Sequence, residues 1–341
     1  MQLTKWLLLE LEVVNLKAGV IGLGVMGRNH ARVLSTLDGV DLVGIVDPGI
    51  PDKDVSNFAP IFSEIDQLLL QKIDYCLVAV PTALHEEIGI KLANAGVHAL
   101  IEKPLAHNPD SAQKLVESFS KNGLIGAVGH IERYNPALQE ARKRLLAGEL
   151  GQVYQVITRR QGPFPTRIAD VGVVKDLATH DIDLTSWITG KSYKSVSART
   201  AHRTGRLHED LVNIVAELED QTIASHNVNW LSPFKERRTV ILGERGALVA
   251  DTLTADLTFY LNGSSPIAWD EMANFRGVSE GDVIRYAIAK PEPLRTEHEN
   301  FRDAVLGKDV DIVNLQQGLN TVKVAEAVLE SANTGTTINI H

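Results

Sequence analysis

From Lys17 to Leu34 the chain reads KAGVIGLGVMGRNHARVL: an apolar run, a turn with three glycines, then Met26, His30, Val33 and Leu34 at helical spacing. A strand that feeds straight into a helix this way must pack the helix back onto its own sheet, which commits the segment to a parallel crossover. Gly22, Gly24 and Gly27 form G-x-G-x-x-G at the junction, and Asp47 ends a second apolar run, VDLVGIVDP. The acid follows the glycines at about the 20-residue spacing of a dinucleotide fingerprint. The first glycine permits the tight turn, the second lets a pyrophosphate approach the backbone, and the third allows close packing at the helix N-terminus. The expected cofactor contacts are Gly22, Gly24, Val25, Met26 and Gly27, with Asp47 accepting hydrogen bonds from the adenosine ribose. A carboxylate there repels a 2′-phosphate, so NAD is expected rather than NADP.

IDYCLVAVP, VHALIEKP and GLIGAVGH continue as strands, with helical stretches near Ala83 to Ala95, Asp110 to Asn122 and after Pro136. Strands alternating with helices predict a parallel sheet covered on both faces, so residues 1–133 are expected to form a doubly wound α/β domain behind a leading extension, 1–15. The extension contains WLLLELEVV, but Glu10 and Glu12 interrupt the apolar run and no small-residue cleavage site follows, unlike an export signal. Beyond Leu150 the texture changes to strand-like runs with short polar connections: QVYQVITRR, KSVSARTAHR, DLVNIVAELE, TIASHNVNW, RRTVILGE and LTFYLNG. Residues 134–341 are expected to form an α+β domain with an open, largely antiparallel sheet. Its helices are VKDLATHDIDLTSWI and two late stretches, near Glu297 to Leu306 and Leu315 to Ala332. No flexible linker separates the halves, which places a cleft between them.

The 341 residues hold 34 Lys and Arg against 43 Asp and Glu, a net charge of −9 that disfavours extended contact with nucleic acid. No run approaches the roughly 20 apolar residues of a membrane span. The single cysteine, Cys76, lies in the apolar run YCLVAV, which suits a buried thiol and a reducing, cytoplasmic compartment.

Two further segments carry chemistry. Glu102, Lys103 and Pro104 (EKP) lie at the carboxyl end of the fourth strand, where an open parallel sheet presents ligands, and VPTALHEE opens at another strand end with Pro81 and His85. The second segment, VKDLATHDID, crowds charge: on a helix Asp176 and His180 share one face. Taken alone it reads first as a solvated charged face, next as a buried structural histidine and last as a metal site. The last lacks H-E-x-x-H, a cysteine cluster or a compact histidine set, and no metal is expected.

In their order along the chain, GVIGLGVMGRNHARVL, VPTALHEE, EKPLA, GHIERYNPA, DLATHDIDL and EPLRTEHENF resemble the glucose-fructose oxidoreductase and inositol dehydrogenase (Gfo/Idh/MocA) family over nearly everything after residue 17. The resemblance implies an NAD-dependent dehydrogenase of a carbinol on a sugar, cyclitol or related small molecule. It makes Lys103 the active-site lysine and Asp176 with His180 the D-x-x-x-H pair. Alcohol oxidation needs a base for the hydroxyl proton while a hydride leaves the same carbon. His180 fits the base, Asp176 its orienting carboxylate, and Lys103 the cation beside the reacting oxygen, with the proton role shared between Lys103 and His180. Arg160, Arg167, Lys175 and Asn135 are substrate candidates, although strand alternation prevents Arg159 and Arg160 from lining one pocket together. The segment NVNWLSPFKERRTVILGERGALVADTLTADLTFY looks most like the branch acting on UDP-N-acetylglucosamine at its 3-hydroxyl, with free sugar or inositol oxidation the alternative. A redox sensor that binds NAD without turnover is the alternative of another class, and it leaves Lys103, Asp176 and His180 without a task. Relatives associate through the open sheet, so a homodimer or homotetramer is expected.

Overall fold

The computed structural model describes residues 15–49, 57–165, 171–263 and 280–340. Arg167 and the WLLLELEVV extension lie outside the described residues. The first sheet contains β1 (Leu16–Ile21), β2 (Val40–Val46), β3 (Ile61–Phe62), β4 (Tyr75–Val78), β5 (His98–Glu102) and β6 (Gly126–Gly129), in the order β3-β2-β1-β4-β5-β6 and parallel throughout. Its central strands bury successive residues rather than alternate ones, because helices cover both faces. Between them run α1 (Val25–Leu34), α2 (Ile65–Leu69), α3 (His85–Asn94) and α4 (Pro109–Lys121). β3, two residues long, is too short for periodicity to reveal.

After α5 (Pro136–Leu146) comes the second sheet: β7 (Val153–Pro163), β8 (Tyr193–Ala201), β9 (Leu211–Leu218), β10 (Ile223–Asn229), β11 (Leu231–Gly243), β12 (Gly246–Asp251), β13 (Asp256–Asn262), β14 (Glu280–Arg285) and β15 (Ile338–Asn339). Its order is β14-β13-β12-β11-β7-β10-β9-β8-β15, antiparallel except where β7 meets β10. One face packs beneath helices, including α6 (Thr179–Thr189), which continues from a wide π turn at Val174–Ala178. The opposite face is open. Strand register puts Val215, Ile223, Leu242, Tyr260 and Val283 together on it, all exposed. RRTVILGE and LTFYLNG therefore serve both faces, with Ile241, Leu257 and Phe259 buried under helices and Leu242 and Tyr260 outside.

The late helices α7 (Pro293–Val305) and α8 (Leu315–Thr334) return across residue 133. Phe301 of α7 packs edge-on against Tyr75 of the first sheet. Along α8, Leu315, Leu319 and Val322 sit in the first sheet's core while Val324, Ala325 and Val328 sit in the second's. One helix is thus shared by both cores, which fixes the walls of the cleft between them.

Candidate active site

A cleft of about 650 Å³ opens at the carboxyl ends of β1, β4 and β5. Gly24, Val25 and Met26 line it from the glycine turn, Ala79 to Thr82 from the loop after β4, and Glu102, Lys103 and Pro104 from the end of β5. Asp176, Leu177 and His180 form the facing wall.

The glycine turn is built for close approach. Gly22 has φ of +96°, a region that L side chains rarely adopt, while a Cβ on Gly24 would meet nothing within 4 Å. A Cβ on Gly27 would lie 2.8 Å from the Gly22 carbonyl carbon and closer still to its oxygen. The open space over Gly24, at the N-terminus of α1, fits a pyrophosphate. Asp47 Oδ2 accepts the Leu23 N–H at 2.7 Å and Oδ1 the Gly49 N–H at 2.8 Å, so the carboxylate holds the turn with lone pairs to spare for ribose hydroxyls. His85 is fully buried: its Nε2 lies 3.0 Å from the Val80 carbonyl and its Nδ1 3.1 Å from that of Pro104. Both carbonyls belong to cleft loops, which His85 ties together from behind.

Opposite the turn, Lys103 Nζ donates to the backbone oxygen of Asp176 at 2.8 Å and to its Oδ1 at 2.9 Å. Asp176 sits in the wide turn and His180 in the α-helix that follows, and no hydrogen bond joins them among the described residues. The carboxylate thus orients the lysine rather than the imidazole. Asp176 Oδ2 and His180 Nδ1 are buried without partners, and the lysine ammonium has a third proton to give. Burial, then the charges of Lys103 and Arg160, push the His180 pKa well below the ordinary histidine value, leaving a neutral acceptor. His130, also buried, meets His180 edge-on with ring centroids 6.2 Å apart.

Glu102 is held from below. Its Oε1 lies 2.9 Å from His30 Nε2, its Oε2 accepts the Lys103 N–H at 3.0 Å, and His30 Nδ1 lies 2.8 Å from His298 Nε2 of α7. Burial pushes the Glu102 carboxyl up, but the hydrogen bond and charge of His30, aided by Lys103, outweigh it and hold the group below the usual carboxylate range. An ionised Glu102 accepts from His30 Nε2, and the second ring nitrogen of His30 carries the contact on to His298.

The substrate candidates are placed unevenly. Arg160 is buried, its Nε 3.0 Å from Asp181 Oδ2 and its Nη1 2.9 Å from Glu132 Oε1, while Arg159 points to the open face near Glu236. Lys175 turns to the His107 carbonyl and to Glu326. Asn135 caps α5 through the Ala137 N–H and donates to the Thr252 carbonyl. Asp183 forms a two-pronged pair with Arg133. Sequence reasoning passed over His30, His130, His298, Glu132 and Arg237. A histidine on the inward stripe of α1 was the one local signal, since His30 stands where an apolar residue would serve.

A glycine turn at a helix N-terminus, facing a lysine and a neutral histidine across a cleft, defines a dinucleotide-dependent oxidoreductase. The chain belongs to the GFO/IDH/MocA family: residues 16–130 match its oxidoreductase model with the NAD-binding Rossmann fold, and residues 138–249 its C-terminal domain. It is 28% identical over 301 residues to UDP-N-acetylglucosamine 3-dehydrogenase of Acidithiobacillus ferrooxidans, covering 86% of this chain and 90% of that protein. It is likewise 28% identical over 253 residues to scyllo-inositol 2-dehydrogenase (NAD(+)) of Bacillus subtilis, covering 70% and 74%. A solved structure of the Acidithiobacillus ferrooxidans enzyme superposes with a TM-score of 0.82 at 25% identity, over 94% of this chain and 99% of that one. The protein is an NAD-dependent dehydrogenase acting on a CH–OH group.

Proposed function

We propose that the enzyme oxidises the 3-hydroxyl of UDP-N-acetylglucosamine or a closely similar sugar nucleotide. The observation that carries the chemistry is the Lys103 ammonium, fixed on Asp176 and facing the cleft beside neutral His180. NAD bound over Gly24 supplies the two-electron acceptor. His180 accepts the hydroxyl proton as the carbinol becomes a carbonyl, and the third N–H of Lys103 stabilises the negative charge developing on oxygen. Asp176 holds Lys103 aimed through its backbone oxygen and Oδ1, and its Oδ2 is buried without a partner. Gly22, Gly24, Val25, Met26, Gly27, Asp47, Pro81 and Glu102 bind the cofactor in this reading, with His85 supporting their loops.

The substrate assignment is supported by the UDP-N-acetylglucosamine relative, which is matched over more of its length than the inositol enzyme at the same identity. The test follows NADH absorbance with UDP-N-acetylglucosamine, free N-acetylglucosamine, myo-inositol and scyllo-inositol. The sugar nucleotide should give the highest kcat/KM. Preferred turnover of either inositol would overturn the substrate assignment.

A further inference from the structure

Besides Lys103, two arginines act on the base His180, one with its charge matched and one without. Arg160 of β7 meets Asp181, the residue after His180, and Glu132, so its charge is matched. Its cross-strand neighbour on β11 is Arg237. Directly opposed residues of an antiparallel pair share one face with Cβ atoms about 4.5–5.5 Å apart, which puts Arg237 on the helix-covered side beside α6. The Nη1 of Arg237 donates to two backbone carbonyls, Gln161 at 2.7 Å and Glu236 at 2.9 Å, and these pin the guanidinium. It forms no ion pair among the described residues. Burial and Arg160 lower its pKa against the pull of Glu132, Asp181 and Asp176, so the charge is held at a cost that an anion would relieve.

Lys235 extends the line outward. It is exposed and has no ion pair among the described residues, and a Cβ on Gly162 would meet its Cγ at 3.2 Å. Gly162 lies two residues beyond Arg160 and therefore on the same face, so the Lys235 stem runs over the position a side chain there would fill. The result is a pinned guanidinium with a free edge beside the catalytic helix and a flexible ammonium farther out.

We propose that Arg237, with Lys235 beyond it, forms an oxyanion subsite that selects substrates bearing a phosphate or carboxylate near the reacting carbinol. The subsite rests on the sugar-nucleotide reading and sharpens it. A guanidinium held by two carbonyls suits a paired oxyanion, and the outer lysine suits the mobile end of a diphosphate. The oxyanion is either the diphosphate of the nucleotide or a carboxylate on the sugar ring.

The experiment compares the unaltered enzyme with Arg237→Gln, Arg237→Lys and Lys235→Gln on three substrates: UDP-N-acetylglucosamine, its 6-carboxylate counterpart, and myo-inositol. Arg237→Gln should raise KM for the anionic substrates about ten- to a hundredfold, the range for one lost charge-assisted hydrogen bond. NAD binding and any rate on myo-inositol should stay within about twofold, and Arg237→Lys should recover part of the loss. A loss on both nucleotides assigns the subsite to the diphosphate, and a loss on the 6-carboxylate compound alone assigns it to the ring carboxylate. Equal loss on all three substrates, or none on either anionic one, overturns the proposal. If the unaltered enzyme turns over myo-inositol alone, the sugar-nucleotide reading fails. The subsite then stands only if UDP competes with myo-inositol in the unaltered enzyme and not in Arg237→Gln.

Discussion

Gly24 and Gly27 lie three residues apart in the same turn, and the structure assigns them opposite sensitivities to a single methyl group. At Gly27 the added Cβ would stand 2.8 Å from the Gly22 carbonyl carbon, against an ordinary carbon contact of about 3.5–4.0 Å. The start of α1 must then withdraw from the turn by roughly 0.7 Å or more, and the neighbouring atoms are backbone that cannot swing aside. Overpacking of this kind costs about 1–3 kcal/mol. At Gly24 no atom lies within 4 Å and φ is −61°, a value that alanine adopts freely. Gly24→Ala should therefore fold with stability within about 0.5 kcal/mol of the unaltered protein, or slightly above it through a less flexible unfolded chain. Its methyl would fill the space assigned to the pyrophosphate, so NAD affinity should fall about tenfold or more, or at least ~1.4 kcal/mol. Urea denaturation without cofactor and NAD titration by tryptophan fluorescence read the two effects separately. Gly24→Ala binding NAD normally would refute the pyrophosphate placement, and Gly27→Ala with unaltered stability would refute the packing argument.

Four other outcomes follow from the site and the sheets. Lys103→Met and His180→Ala should each lower kcat about a hundred- to ten-thousandfold with NAD binding retained, Asp176→Asn less than His180→Ala, and normal turnover by either of the first two removes its role. In His30→Ala burial should lift the Glu102 pKa, so NAD affinity should weaken on acidification at a higher pH than in the unaltered protein. Glu102 also faces Lys103, His85, His130 and Glu297, and a pH profile of the NAD dissociation constant unchanged by the substitution counts against the network. Buried His226, between Thr158 and Tyr193, has its pKa pushed down to about 3, and His85, His130, His180 and His298 are shifted the same way. The unfolded chain binds these protons first, so stability should fall as pH drops below about 6.5, by up to ~1.4 kcal/mol per pH unit for each histidine, and a melting temperature flat from pH 7 to about 4.5 would contradict this. The open face carrying Val215, Ile223, Leu242, Tyr260 and Val283 should be covered by a second copy, so light scattering should give a multiple of 37.3 kDa, and a mass near one chain would exclude the assembly.

What could be read from the sequence was what depends on neighbours along the chain. The alternation of apolar runs with helical spacing announced the parallel sheet, because a strand covered on both faces must be continuously apolar. The glycine turn and Asp47 were legible for the same reason, since a turn's conformation is set by a few adjacent residues. The change to polar-connected strands after Leu150 marked the second sheet. Contacts between distant segments were decided by packing. Asp176 and His180 are four residues apart and suggest a pair, yet the wide turn at Val174–Ala178 leaves Asp176 on Lys103, a partner 73 positions away. Arg160 and Arg237 look alike as strand cations, and only their registration against Asp181 and Glu132 separates a neutralised charge from an open one. The chain from Glu102 through His30 to His298 joins β5, α1 and α7, and no local spacing encodes it, because tertiary packing alone brings the three elements within hydrogen-bond reach.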